Sequence, residues 1–241
     1  MNSIFLKTRS WLPRLLGALF TSLFLQIIGY AQLTENQQTK IDSLKHVIAT
    51  AEHDSVIINS WIAWDEIIYV FDPKLDWELN KKIVERCQEL LEKTPQNYRD
   101  DEIHFYQKSL GNALNNIGII YMNKGDYQKA MEYFSQSLKI REEMGNNSGI
   151  ASSLSNIGTI YKNQGRYDKS LEYYFKSLRI SEKLGNKSGI ANSLNNIGYV
   201  YMNQGDYNRS IANYSKSLKI REEMGDKSGA AIPLNNIGMV Y

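Results

Sequence analysis

L-N-N-I-G-I-I-Y-M-N-K-G-D-Y-Q-K-A-M-E-Y-F-S-Q-S-L-K-I-R-E-E-M-G-N-N-S-G-I-A-S-S, residues 114–153, returns at Leu154 and again at Leu194, and a fourth copy opens at Leu234. Sixteen of its forty positions are identical in the three full copies. A fixed period of this size marks a stacked array of one structural unit and outranks weaker local signals.

Each copy contains two amphipathic helices. Leu114, Ile117, Gly118 and Tyr121 fall at i, i+3, i+4 and i+7, which gathers them on one apolar face at helical period. Gly125 then suits the left-handed turn that ends a helix, and Asp126 suits the cap of the next. The second helix carries Tyr127, Ala130, Met131, Phe134, Ser137 and Leu138 on one face. It runs to Met144 and stops at Gly145, with Ser148 expected to cap the following unit. Gly118, Ala130 and Ser137 are small where the two helices must approach, with tyrosine and phenylalanine filling the space between them.

The pattern L-x-x-I-G-x-x-Y, then G-x-Y-x-x-A, then F-x-x-S-L resembles the tetratricopeptide (TPR) motif from Leu114 to Tyr241. Two departures stand out. The unit is lengthened from the usual thirty-four or so residues to forty. Glu142, Glu182 and Glu222 replace the proline that commonly closes the second helix. Lengthened units of this kind are similar to those of kinesin light chains, spindle-orientation adaptors and bacterial peptide-pheromone receptors. The resemblance implies an all-α fold, an α-solenoid coiling as a right-handed superhelix of helix hairpins. It also implies a non-catalytic scaffold that binds a peptide or protein on its concave face.

The remainder of the chain fits such an array. Lys7, Arg9 and Arg14 precede an apolar stretch from Leu15 to Ile28, and Gly29-Tyr30-Ala31 ends it, so residues 1–31 are expected to be a secretory signal peptide. The alternative is an uncleaved anchor, for which the stretch is short. An exported chain, in the periplasm or cell envelope, is the expectation. Without those three charges the formal net charge of +2 becomes −1, and no basic stripe marks a nucleic-acid surface. Residues 32–53 carry a weak stripe of Ile41, Leu44, Val47 and Ile48 and are expected to form a polar helix covering the end of the array. Residues 54–95 have the pattern of a worn repeat, with Asp54 as a cap, a stripe reaching Phe71, a turn at Asp72-Pro73 and a second helix from Leu75 to Leu91. Residues 96–241 form the array, with 96–113 extending its first helix backwards. Pro233 replaces Ser153 and Ser193, and with Ser228 as cap the last helix is expected to start late or kink.

No catalytic, metal or cofactor site emerges. His46, His53 and His104 all precede the repeats, and the single cysteine, Cys87, lies in an apolar stripe where a thiol acts as a small hydrophobe. Glu142-Glu143 and Glu222-Glu223 are charge pairs on a solvated helix end, and no phosphate-binding loop or nucleophile turn is present.

One polar pattern remains. Asn116, Asn156 and Asn196 recur unchanged and Asn236 continues them, flanking the packing face. With Asn112, Ile119 and Asn123 and their counterparts they form a second stripe of amides, hydroxyls and a few apolar groups, where a solvated helix would carry Lys and Glu. An amide offers the donor and acceptor that a peptide bond needs. The resemblance implies that asparagines at this offset hold the backbone of a bound peptide, which makes these four the candidate peptide-binding residues. The competing reading is that they only bridge neighbouring helices. The position before each is Asn115, Ser155, Asn195 or Asn235, so the carboxylate clamp of chaperone-binding relatives, which needs a base there, is not expected. A second functional reading treats the chain as a sensory input region. The I-D-S-L opening at Ile41–Leu44 resembles exported arrays that precede a membrane span and a kinase, cyclase or DNA-binding output.

Overall fold

A computed structural model describes residues 33–93 and 99–240, and the expected leader, the Thr94-Pro95 junction and Tyr241 lie outside the described residues. Among the described residues ten α-helices follow one another: α1 Glu35–Thr50, α2 Asp54–Ile68, α3 Pro73–Lys93, α4 Asp100–Asn123, α5 Tyr127–Glu143, α6 Asn147–Asn163, α7 Tyr167–Lys183, α8 Lys187–Asn203, α9 Tyr207–Glu223 and α10 Lys227–Val240. Each packs on its chain neighbours, which is the contact pattern of a solenoid.

The turns follow from the glycine. Gly125 adopts φ 79°, and the N–H groups of Gly125 and Asp126 then reach back to the carbonyls of Met122 and Tyr121, both at 3.0 Å. That double bond satisfies carbonyls the helix end leaves open. Asp126 then caps α5 by accepting from Lys129 N at 3.1 Å. The start of α6 differs from the sequence expectation. Asn146 caps it, accepting from Gly149 N at 3.0 Å, and Ser148 is already inside the helix. The reason is local: Asn146 directly follows the left-handed Gly145, so an Asx cap is in place before Ser148 is reached. Asp226 does the same for α10, which therefore starts at Lys227, on time, and continues through the buried Pro233 to Val240.

Within each hairpin the small residues let the helices touch. A Cβ built on Gly118 would lie 2.6 Å from the Phe134 ring. Ser137 Oγ donates to Gly111 O at 2.7 Å, and Ser177 and Ser217 repeat the bond to Ala151 O and Ala191 O at 2.8 Å. These buried hydroxyls thereby avoid the cost of an unpaired polar group.

The N-terminal helices complete the stack. Thr34 and Gln37 form a reciprocal cap for α1, whose Ile41 joins Ile68 and Leu79 in a cluster with Trp61 and Trp64 at its edge. Asp72 caps α3 ahead of Pro73, accepting from Lys74 N and Leu75 N. Asp54 is not a cap. It is the first residue of α2 and accepts from Arg86 Nε on α3 at 2.8 Å, an interaction that fastens the two helices together. Helix α2 ends at Ile68, and Phe71 falls in the turn beyond it.

The last described helix, α10, has exposed apolar side chains. Leu114, Leu154 and Leu194 are 2%, 8% and 9% exposed, whereas Leu234, at the same place in the unit, is 58% exposed, with Ile232 and Met239 similarly open. With so little apolar burial, α10 is expected to open locally far more often than the middle of the array. Amide hydrogen exchange should be fast from about Gly229 onward and slow across α7 and α8. Equal protection in both regions would mean that another surface covers α10.

Candidate functional site

The helices divide into an inner and an outer row. The first helices of successive units, α4, α6, α8 and α10, touch one another; the second helices, α5, α7 and α9, do not. The stack therefore closes on the first-helix side, and those helices line its concave wall. Their packing faces are used by Leu114, Ile117 and Gly118 and the equivalents. The polar stripe is left facing the groove: Asn112 and Asn123 are exposed, and Asn116 and Ile119 half-buried, with the same gradation on α6 and α8.

The four candidate asparagines stand in a row on these helices, and three are tied to a neighbouring helix. Asn156 Nδ2 donates to Asn115 Oδ1 at 2.9 Å, and Asn236 Nδ2 to Asn195 Oδ1 at 2.9 Å. Asn116 Nδ2 donates to Asn80 Oδ1 on α3 at 3.2 Å. At Asn156 and Asn236 the bridge joins the asparagine to the residue preceding the asparagine one unit earlier, whereas Asn116 reaches the second helix of the worn unit. Asn196 is the exception. The partner position is Ser155, whose side chain is too short, and Asn196 has no side-chain hydrogen bond among the described residues. So the bridging geometry is present at three positions, and the half-buried amides are oriented by it; their open groups remain on the groove wall.

Beside Asn116 the groove widens into a cavity of about 450 Å³ bounded by Asp65, Tyr69, Asp76, Asn116 and Ile120. Two aspartates are buried here, and sequence reading did not single them out. Asn80 Nδ2 donates to Asp65 Oδ1 at 2.9 Å and to Asp76 Oδ1 at 2.8 Å. Burial first, and the neighbouring Asp76 second, push the Asp65 carboxyl up to about 7. Burial also raises Asp76, with Lys124 acting in the opposite direction. Near neutral pH the pair therefore lies in the range where a shared proton is gained or lost.

Two cations were also missed. Lys162 Nζ lies 4.7 Å from the Tyr199 ring centre across α6 and α8, so the stripe carries more charge than its amides alone indicate. Arg141 is 6% exposed and has no carboxylate partner among the described residues. Its Nη1 donates to Gly149 O at 3.0 Å and Ser153 Oγ at 2.8 Å, and its Nη2 to Asn112 Oδ1 at 3.0 Å, while Nε is unpaired. Burial pulls its guanidinium below its usual value. The three histidines are exposed, and Cys87 is fully buried with its thiol pushed up to about 12 by burial.

Several solved structures share this architecture. BtubC (BKLC) from P. vanneervenii is 19% identical, with 86% of this chain and 84% of that chain aligned at a TM-score of 0.67. The apo form of RapI is 19% identical over 83% of this chain and 69% of that one, at 0.68. A Rap protein complexed with Competence and Sporulation Factor is 14% identical over 93% and 65%, at 0.54. At these identities the likeness is one of fold. No curated protein matches the chain in sequence. The sequence model of the tetratricopeptide repeat matches residues 109–183 and 189–241, more than half of the chain, over the same units whose helices build the groove. The chain belongs to the tetratricopeptide repeat family.

Proposed function

We propose that this protein is a non-catalytic scaffold that holds an extended peptide, or an extended segment of a protein, along the concave row of asparagines. The observation that carries the reading is the stripe itself. Four consecutive inner helices present amides at one height, and three of those amides are held in place by bonds to the preceding helix. Pre-oriented donors and acceptors lose little freedom on binding, so a peptide backbone can be held without reading its side chains. The Rap protein complexed with Competence and Sporulation Factor offers a fold-level parallel for a bound partner.

Asn196 gives the cleanest test, because no internal bond is lost when it is changed. Peptides selected from a random display library against the wild-type chain should bind Asn196→Ala about three- to tenfold more weakly, the equivalent of one hydrogen bond. The melt should not move. Asn156→Ala should weaken the same peptides and also lower the melt, since its bridge to Asn115 is lost. A library that yields no binder, or binders indifferent to Asn196, would overturn the groove reading.

A further inference from the structure

The three full units differ at one place that matters for recognition. Arg141, Ser181 and Arg221 occupy the same position, near the end of the second helix. In the first unit the Arg141 guanidinium fills the space between α4 and α6. One nitrogen reaches Gly149 O and Ser153 on α6, and the other reaches Asn112 on α4. In the third unit Arg221 fills the equivalent space, donating to Asn192 on α8 and to Asp226 at the head of α10. In the middle unit the arginine is replaced by Ser181, and the space is a cavity of about 200 Å³.

The wall of that cavity matches the wall that holds Arg141. Gly189 stands for Gly149, Ser193 for Ser153, Ser152 for Asn112 and Ser155 for Asn115, and all four border it. Ser181 also borders it and is 1% exposed. Ser152 and Asn192, both exposed on the groove stripe, also border it. A volume of this size and polarity holds several waters when nothing else occupies it.

We infer that this cavity is a slot for a guanidinium group, supplied by an arginine side chain of the bound peptide or protein. The fork shape of the group is what the two flanking units show. Its paired nitrogens span two helices, and the acceptors around Arg141 are all neutral, so a counter-charge in the wall is not required. An ammonium, a compact point charge, does not span the two walls in this way. The slot deepens the groove reading and rests on it for the source of the arginine: it adds a side-chain preference to a site otherwise built for backbone.

The test uses the isotopically labelled full chain and N-acetyl-arginine amide as the probe, followed by amide chemical shifts in two-dimensional NMR. The Gly189 and Ser193 signals should move and saturate as probe is added. The citrulline analogue, of the same shape but neutral, should leave them in place. Ser181→Arg places in the slot the residue both flanking units carry, so the variant should melt no lower than wild type and bind the probe about tenfold more weakly or worse. Unmoved Gly189 and Ser193 signals in the wild-type chain would overturn the slot, and so would an equal response to citrulline or an undiminished response in Ser181→Arg. Should Ser181→Arg fail to fold, the arginine and citrulline titrations of the wild type decide alone. The probe is too small to need the rest of the groove. A responsive slot in a chain that yields no library peptide therefore retires the groove reading only, and a silent slot in a chain that binds library peptides retires the slot only.

Discussion

Phe134→Ala is expected to destabilise the array by about 3–5 kcal/mol, the range for removing a fully buried aromatic ring. Phe134 has no exposed surface, and it packs with Ala130, Ile157 and Ile160 where the first unit meets the second. The ring also sits against the Gly118 backbone, with no side chain there that could swing in to fill the void. In a solenoid the loss falls on one interface between neighbours, so the denaturation curve should broaden as the two sides of the break come apart. Chemical denaturation followed by circular dichroism measures both effects. A shift under about 1 kcal/mol would mean that the site collapses around the gap.

A milder change at the same position separates packing from hydrogen bonding. The copies of Phe134 are Tyr174 and Tyr214. The Tyr174 hydroxyl meets Thr159 Oγ1 at 3.0 Å, and the residue equivalent to Thr159 in the first unit is Ile119, which has no hydroxyl. In these two units phenylalanine goes with isoleucine and tyrosine with threonine, while in the third unit the Tyr214 hydroxyl donates to Met202 Sδ at 4.0 Å, with Tyr199 in the threonine's place. Phe134→Tyr buries a hydroxyl with no partner from Ile119 and should cost about 1–3 kcal/mol. Adding Ile119→Thr should recover part of that cost, and the size of the recovery measures the pair.

That pairing shows what was legible in the sequence and what was not. Leu114, Ile117, Gly118 and Tyr121 reveal the helix and its face because each copy packs against near-identical neighbours, so the same requirement is written three times. Gly125 and Asp126 are legible for the same reason, since a turn is set by the residues inside it. The cap of α6 was misplaced by two residues because Asn146, Asn147 and Ser148 are all good caps, and only the position of the left-handed Gly145 chooses between them. The recurrence of Asn156 and Asn236 was visible, but their partners Asn115 and Asn195 lie forty-one residues back and become neighbours only when the units stack. The same applies to Arg141, whose acceptors come from two other helices. The Ser181 cavity has no residue of its own to announce it; it is legible only as a missing arginine, once the copies beside it are seen to be filled. The N-terminal pair was hardest, because the worn unit repeats nothing. Asp65 stands among Trp61, Trp64, Ile67 and Ile68, and Asn80, which holds it, is on the next helix.

The chain is expected to lose stability in its N-terminal pair as pH rises from about 5 to 8, and Asp65→Asn should abolish most of that loss. The folded state holds the Asp65 carboxyl up to about 7, against the ordinary value of 3.8 that applies when it is unfolded. Between these values the folded chain binds a proton that the unfolded chain has released. The stabilisation is therefore complete below the unfolded value and is lost as pH rises through the folded one. A shift of this size corresponds to about 2–4 kcal/mol, the lower figure applying if Asp76 takes part of the proton. Asparagine keeps the oxygen that accepts from Asn80 Nδ2, and its amide can donate to Asp76, so the substitution replaces the proton without emptying the site. The chain carries its own reporter. Three of its four tryptophans, Trp61, Trp64 and Trp77, lie on α2 and α3, so tryptophan emission follows this pair as it unfolds. Melts read by emission should fall between pH 5 and pH 8 in the wild type. In Asp65→Asn they should be nearly level and higher than wild type at pH 8. Parallel curves for the two proteins would show that the two carboxylates are accommodated as a charged pair, with Lys124 or bound water offsetting them in place of a shared proton.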